Sequence, residues 1–283
     1  MVTQIRLELL KLIRSKGFYL SFAALLGFVC LMLWGFYSYA QRKTSGLAAE
    51  QFKYTYESKS YFNGLTFTLY SLMFAFNLVV PIFVAMSAGR QIAGERRAGT
   101  LRMMCIRPVS RVSILISKFF VVAIHTYLLM TFFIGLSLLV GLLFVGWGNL
   151  DLYPGALNLV DEPGTILRDE ALKRFLYASL SGTWALLVVA AMAILLSVLF
   201  ENPVTAVAAT LAAYLILYII GRIEFFDTLR PFFFTTDMDF WRDVLKPEIP
   251  WRSFFHYGST CGAYIFGFLF LAVVIFERKD VTS

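Results

Sequence analysis

Uncharged, mostly apolar runs cover residues 18–41, 60–89, 119–150, 175–200, 202–221 and 253–276. Each reaches the roughly 20 residues that an α-helix needs to cross about 30 Å of hydrocarbon. Only helices and closed barrels satisfy their backbone groups inside lipid, and a barrel would show alternating segments of about 10 residues. The runs here are continuous. They predict an all-α integral membrane protein with six transmembrane helices, over about 18–41, 65–88, 119–146, 176–200, 203–221 and 253–276.

Residues 1–17 follow a different period. At 100° per residue, Val2, Ile5, Leu9, Leu12 and Ile13 share one face, while Thr3, Gln4, Glu8, Lys11, Arg14 and Ser15 share the opposite one. This predicts an interfacial amphipathic helix, apolar face in the acyl boundary and cations among anionic headgroups, with Gly17 making a sharp turn into the first span. The bland alternative is a plain extension of that span. A cleavable signal ending near Ser38-Tyr39-Ala40 is disfavoured, because the apolar run exceeds the roughly 7–15 residues of such signals.

Composition sharpens the membrane assignment. Hydrophobic residues make up 59% and charged residues 15%, where a soluble domain carries about a quarter charged. Lys and Arg number 25 against 18 Asp and Glu, a net charge of +7. The densest basic segment is 89–118, with Arg90, Arg96, Arg97, Arg102, Arg107, Arg111 and Lys118. Basic loops stay inside, so both termini are placed in the cytoplasm and 42–64, 147–175 and 222–252 become outer loops. Trp34, Tyr37, Tyr39, Trp147, Trp251, Phe254, Phe255 and Tyr257 mark the outer boundary as an aromatic belt. Cys30 and Cys261 fall in spans and Cys105 in the basic loop, which argues against a disulfide framework.

Within the spans, Gly258-Ser259-Thr260-Cys261-Gly262 and the set Ala206, Ala209 and Ala213 allow close helix approach. Pro81 removes the hydrogen bond to the Asn77 carbonyl and predicts a kink, a candidate hinge that the Asn77 side chain would partly offset. His125 is the one basic side chain well inside a span. It is a helix-contact residue or, on the sharper reading, part of a pathway.

Chemical motifs are sparse. There is no Gly-Lys pair and so no phosphate-cradling P-loop. No H-E-x-x-H, G-x-S-x-G or C-x-x-C occurs, and His125 and His256 lie on different spans. Asp237, Asp239, Asp243 and Glu248 mimic part of a calcium loop, but Arg242 stands where such loops need Gly. A solvated outer loop is the better reading, with Ile166–Phe175 and Phe240–Leu245 as short helices lying on the membrane. No catalytic, cofactor or metal residue is assigned.

The segment 89–118 carries a pattern beyond charge. Glu95-Arg96-Arg97-Ala98-Gly99-Thr100-Leu101 is followed by Pro108-Val109-Ser110-Arg111 and then Lys118. This predicts a short helix, a stop before Pro108 and a restart capped by Ser110. It resembles the cytoplasmic loop of ABC export permeases of the second type, whose pattern is an acidic residue, Gly-Thr-Leu, Pro-x-Ser-Arg and a downstream Lys. Phe276-Glu277-Arg278-Lys279-Asp280 is similar to that family's aromatic–basic–Asp ending, and the subgroup serving nitrous-oxide-reductase maturation and gliding motility looks closest. The three outer loops depart from the family, which often has one large outer loop or a short re-entrant hairpin.

The resemblance implies a permease subunit in a bacterial cytoplasmic membrane, paired with a second permease copy or paralogue and with two copies of a separate ABC ATPase. It implies no cofactor in this chain, ATP and Mg being bound by the partner, and no nucleic-acid ligand. Membrane lipids surround it, and the outer loops raise an outer-side protein partner. Glu95, Gly99, Thr100, Leu101, Met104, Arg107, Pro108, Ser110 and Arg111 become the ATPase-coupling residues, and Asn77, Pro81 and His125 pathway or hinge candidates. The substrate is left open, with a lipid or amphiphile favoured by composition. Two alternatives stand beside export: a complex that transmits ATP-driven movement to outer-side proteins, and, remotely, a membrane-embedded prenyl or phospholipid transferase.

Overall fold

The computed structural model describes residues 2–44, 63–100, 110–152 and 164–279. Helix α1 (Val2–Ile13) leads into α2 (Lys16–Thr44). The second span is α3 (Gly64–Phe74), a π-helical turn (Ala75–Val79) and α4 (Val80–Gly89), followed by the short α5 (Ala93–Arg97). Then come α6 (Arg111–Phe144), a two-stranded antiparallel ribbon of β1 (Leu150–Leu152) and β2 (Gly164–Ile166), α7 (Arg168–Leu199) and α8 (Pro203–Ile220). A cap of short helical turns, including α9 (Phe234–Asp237) and a 3₁₀ helix over Met238–Leu245, precedes α10 (Trp251–Arg278). Among the described residues six stretches are long and apolar enough to span a membrane, as the hydrophobic runs predict.

Helix α7 is the axis of the bundle. In its spanning stretch 83% of residues are buried, against 17% in α2 and in α8. Its buried side chains include Ala178, Ser179, Ser181, Ala185, Ala190, Ala191 and Ala193, small enough for neighbouring helices to approach closely. The closest crossing lies elsewhere: a Cβ on Gly64 would sit 2.6 Å from the backbone of Gly141, so α3 and α6 touch main chain to main chain. On α8 the inward stripe is Ala206, Thr210 and Tyr214 rather than the alanine series alone.

The hinge region departs from expectation in an instructive way. The Asn77 amide does not serve its own carbonyl; it donates to the Met73 carbonyl at 2.7 Å. The carbonyl orphaned by Pro81 instead accepts from the Tyr214 hydroxyl of α8 at 3.0 Å. The chain absorbs the missing donor by widening one turn, with the Val80 amide reaching back to Ala75. The turn is therefore pinned by a neighbouring helix.

Three further expectations are corrected. The break before α2 falls at Arg14–Ser15, where the Ser15 hydroxyl accepts from the Phe18 amide at 3.3 Å, and Gly17 lies inside the first turn of α2. Residues 168–175 form no separate short helix; they are the first two turns of α7, with Asp169 and Glu170 at the positive end of its dipole. Residues 238–245 form no exposed helix either. Phe240, Trp241, Val244 and Leu245 are buried, and the Trp241 ring packs at a tilt 4.7 Å from that of Phe76 in the π-turn.

Candidate functional site

The charged residues of three separate segments meet at the α1 end of the bundle. Helix α6 has 34 residues and so spans about 51 Å, well beyond the hydrocarbon, which carries its first turns into the loop region. There Lys118 is fully buried, its Nζ 2.7 Å from Glu95 Oε1 and 3.2 Å from Glu8 Oε2. Lys11 of α1 also donates to Glu95 Oε1. Two carboxylates and two ammonium groups thus close a neutral cluster joining α1, α5 and α6. Neutrality is required: an unpaired ion here would suffer a desolvation penalty of several kcal/mol.

The cluster sets the roll of α1 differently from the sequence reading. Glu8 is buried and Ile5, Leu9 and Leu12 are half-buried, while Leu7, Leu10 and Ile13 are exposed. The apolar face is therefore shared between protein and surroundings, and Glu8 leaves the solvated face to meet Lys118. Gln4 adds a further tie, accepting from the Ser113 hydroxyl at 3.1 Å.

The loop that begins at α5 is held at more than one point. Its first two amides, on Ile92 and Ala93, donate to the Ser197 hydroxyl of α7 at 3.0 and 2.9 Å. Arg96 reaches the carbonyl of Val198 at 3.4 Å, and Lys279 reaches those of Val198 and Leu199 at 3.2 and 2.9 Å. Cations thereby satisfy the free carbonyls that end α7. Where the chain re-enters the bundle, Ser110 caps α6 by accepting from the Ser113 amide at 3.2 Å. Arg111 donates to the carbonyls of Phe276, Glu277 and Lys279 at 2.9, 3.1 and 2.8 Å, which closes the end of α10.

A scan against family models matches residues 4–221 to the ABC-2 family transporter proteins. The chain belongs to this family. Among curated proteins, one from Bacillus subtilis (strain 168), "Uncharacterized protein YhcI", is 33% identical over 133 residues. That alignment covers 47% of this chain and 42% of the relative, so the chain spans less than half of the protein it matches.

Several of the ABC-2-like loop positions now have separate physical roles. Glu95 and the downstream Lys118 are an ion pair. Gly99 ends α5 with left-handed backbone, φ 70°, which favours a residue without Cβ. The Thr100 hydroxyl donates to the Glu95 carbonyl at 3.3 Å. Ser110 is a cap, and Arg111 joins the start of α6 to the end of α10. Leu101, Met104, Arg107 and Pro108 lie outside the described residues, as do Cys105 and Asp280. The sequence reading puts Glu8 and Lys11 on the solvated face of the first helix and Lys279 in the family-like ending, and assigns neither these nor Ser197 a contact with the loop; the available signal is a lysine at 118 beside an apolar run, which needs a counter-charge.

The intramembrane candidates separate. Asn77 belongs to the pinned π-turn and Pro81 to the first turn of α4 that follows it. His125 lies between α2 and α6, with Nε2 3.4 Å from the Ser21 hydroxyl and the ring 5.4 Å from that of Phe18. It also borders a cavity of about 350 Å³ whose other walls include Glu8, Lys11 and Glu95. At the opposite end, the acidic run is not a solvated loop: Asp237 and Asp243 are buried, Asp239 pairs with Arg222 and Arg242, and Asp243 pairs with Lys246. Among the described residues no three acidic, His or Cys side chains converge as a metal site.

Proposed function

We propose that this chain is the permease subunit of an ABC exporter, with both termini and the 89–118 loop in the cytoplasm of a bacterial cell. Two copies of a separate ATPase bind ATP and Mg, and a second permease, identical or paralogous, completes the transmembrane path. The observation that carries this reading is the tethering of one loop to α1, α7 and the α6–α10 junction through Glu95, Ser197 and Arg111. A force applied to such a loop moves several helices together instead of bending a free segment. Glu95, with 5% exposure, acts inside the chain as a strut, which leaves Leu101 and Met104 as the side chains that seat on the ATPase. The moved substrate is a lipid or another amphiphile.

The test is co-purification with native partners, followed by reconstitution. The chain alone hydrolyses no ATP. Met104→Asp or Leu101→Ala releases or uncouples the ATPase, since buried interface anchors typically contribute about 2 kcal/mol or more, whereas Arg102→Ala weakens assembly in a salt-dependent way. A complex indifferent to Met104→Asp refutes the coupling assignment. ATP turnover that is coupled to the loop yet moves no amphiphile would instead favour transmission of movement to an outer-side protein.

A further inference from the structure

The π-turn is tied to the cap by two routes that share no residue. The first is apolar: Phe76 lies against Gly182 of α7, where a Cβ would come within 3.4 Å of its ring, and meets the fully buried Trp241 of the cap. The Trp241 indole N–H has no partner, so packing alone holds this contact and the two rings are free to part. The second route is polar. From the Asn77 carbonyl it passes to the Tyr214 hydroxyl, and the Tyr214 ring stacks 6.0 Å from that of Tyr218. Arg222 then donates from one nitrogen to the Tyr218 hydroxyl at 3.1 Å and to Asp239 of the cap at 3.2 Å. Asp239 also pairs with Arg242, the neighbour of Trp241, at 3.3 Å. The two routes therefore close into a ring.

The second span is gripped by different helices on either side of the π-turn. Before it, α3 touches α6 main chain to main chain at Gly64. After it, a Cβ on Gly89 would sit 2.8 Å from the Val207 side chain of α8 and 3.3 Å from its amide nitrogen. Just beyond Gly89, the Ile92 and Ala93 amides rest on Ser197. Helix α4, ten residues and about 15 Å long, is thus a lever between the loop and the π-turn. Bending concentrates at a π-turn, because its wider winding yields where an α-helical turn would have to break a hydrogen bond.

We propose that the π-turn and the cap form one two-position latch. In the closed position, Tyr214 holds the Asn77 carbonyl while Trp241 holds Phe76. When α4 swings about the π-turn, both holds release together, and the cap loosens from α7 and α10, on which it packs. The latch carries movement of the loop to the cap within this one chain, whatever the permease moves or drives.

The experiment follows amide hydrogen exchange by mass spectrometry on the full chain in detergent, with no ATPase or substrate present. Tyr214→Phe removes only the hydroxyl. It should speed exchange about tenfold or more at residues 75–80, as expected for a buried carbonyl losing its partner, and also at residues 238–245, which that hydroxyl does not touch. Arg222→Met enters the ring from the cap side and should speed exchange in the same two segments, which keeps the test valid if one variant folds poorly. Pro81→Ala supplies an amide for the Asn77 carbonyl, so Tyr214→Phe in that background should change either segment little. Tyr264 is a matched control: its hydroxyl donates to the Phe232 carbonyl at 3.0 Å, beside the cap but outside the ring, and Tyr264→Phe should leave residues 75–80 unchanged. Acceleration confined to the mutated end, a Tyr214→Phe effect undiminished by Pro81→Ala, an equal response to Tyr264→Phe, or faster exchange that extends equally to the Gly64–Gly141 crossing would each overturn the latch.

Discussion

Replacing Lys118 by methionine removes the charge at the centre of the cluster while roughly preserving the volume of the side chain. Glu8 then loses the ammonium 3.2 Å away, its one ion pair among the described residues. Glu95 loses its contact at 2.7 Å but keeps Lys11, whose side chain is 58% exposed. Breaking a buried pair typically costs about 3–5 kcal/mol, because the stranded charge stays desolvated. The remaining Lys11 and the adjacent cavity, which admits water, place Lys118→Met near the lower end, about 3 kcal/mol, or a roughly 100-fold change in the unfolding equilibrium. The outer pair contributes less: Lys11→Met should cost under about 1 kcal/mol. Unfolding of detergent-solubilised protein by SDS, followed by circular dichroism, reads both values. Adding Glu8→Gln to Lys118→Met should recover more than half of the loss, since the second substitution removes the stranded charge. Strictly additive costs, with a coupling within about 0.5 kcal/mol of zero, would show that the two residues do not act as a pair.

Two glycines should respond differently to alanine. Gly64→Ala drives a methyl into the backbone of Gly141 and should cost about 3 kcal/mol in the same unfolding assay, whereas Gly99→Ala meets open space and should cost about 1–2 kcal/mol for its left-handed backbone alone. Burial pushes the Asp237 carboxyl up to about 6 from 3.8, against a smaller opposing pull from His256. The folded protein thus holds a proton that the unfolded chain has released, so this residue's stabilisation is full below 3.8 and is lost as pH rises through about 6. Asp237→Asn should flatten that part of the stability profile, measured as unfolding midpoints on either side of that value.

Sequence alone determined what depends on local physics. A run of about 20 uncharged residues has few alternatives to a transmembrane helix, so the number of spans followed from length and polarity. Ser110 before Arg111 announced a helix start, and Pro81 announced an irregular turn, because capping and a missing amide act within one turn of chain. The basic segment 89–118 was also recognisable as distinctive, although its residues looked like a solvated loop with a motif.

Only the tertiary structure decided where those residues point. Glu95 and Lys118 are 23 positions apart and Glu8 comes from another helix, so no periodicity links them; burial of Lys118 demands both carboxylates at once. The same demand rolls α1, which a helical wheel orients by polarity alone, so that Glu8 faces inward. Tyr214 satisfies the Asn77 carbonyl across two helices, and Arg111 closes the end of α10 from 165 residues away. A polar group withdrawn from water must find a partner wherever the fold brings one. The sequence names the group in need, but which neighbour meets it depends on how the helices pack.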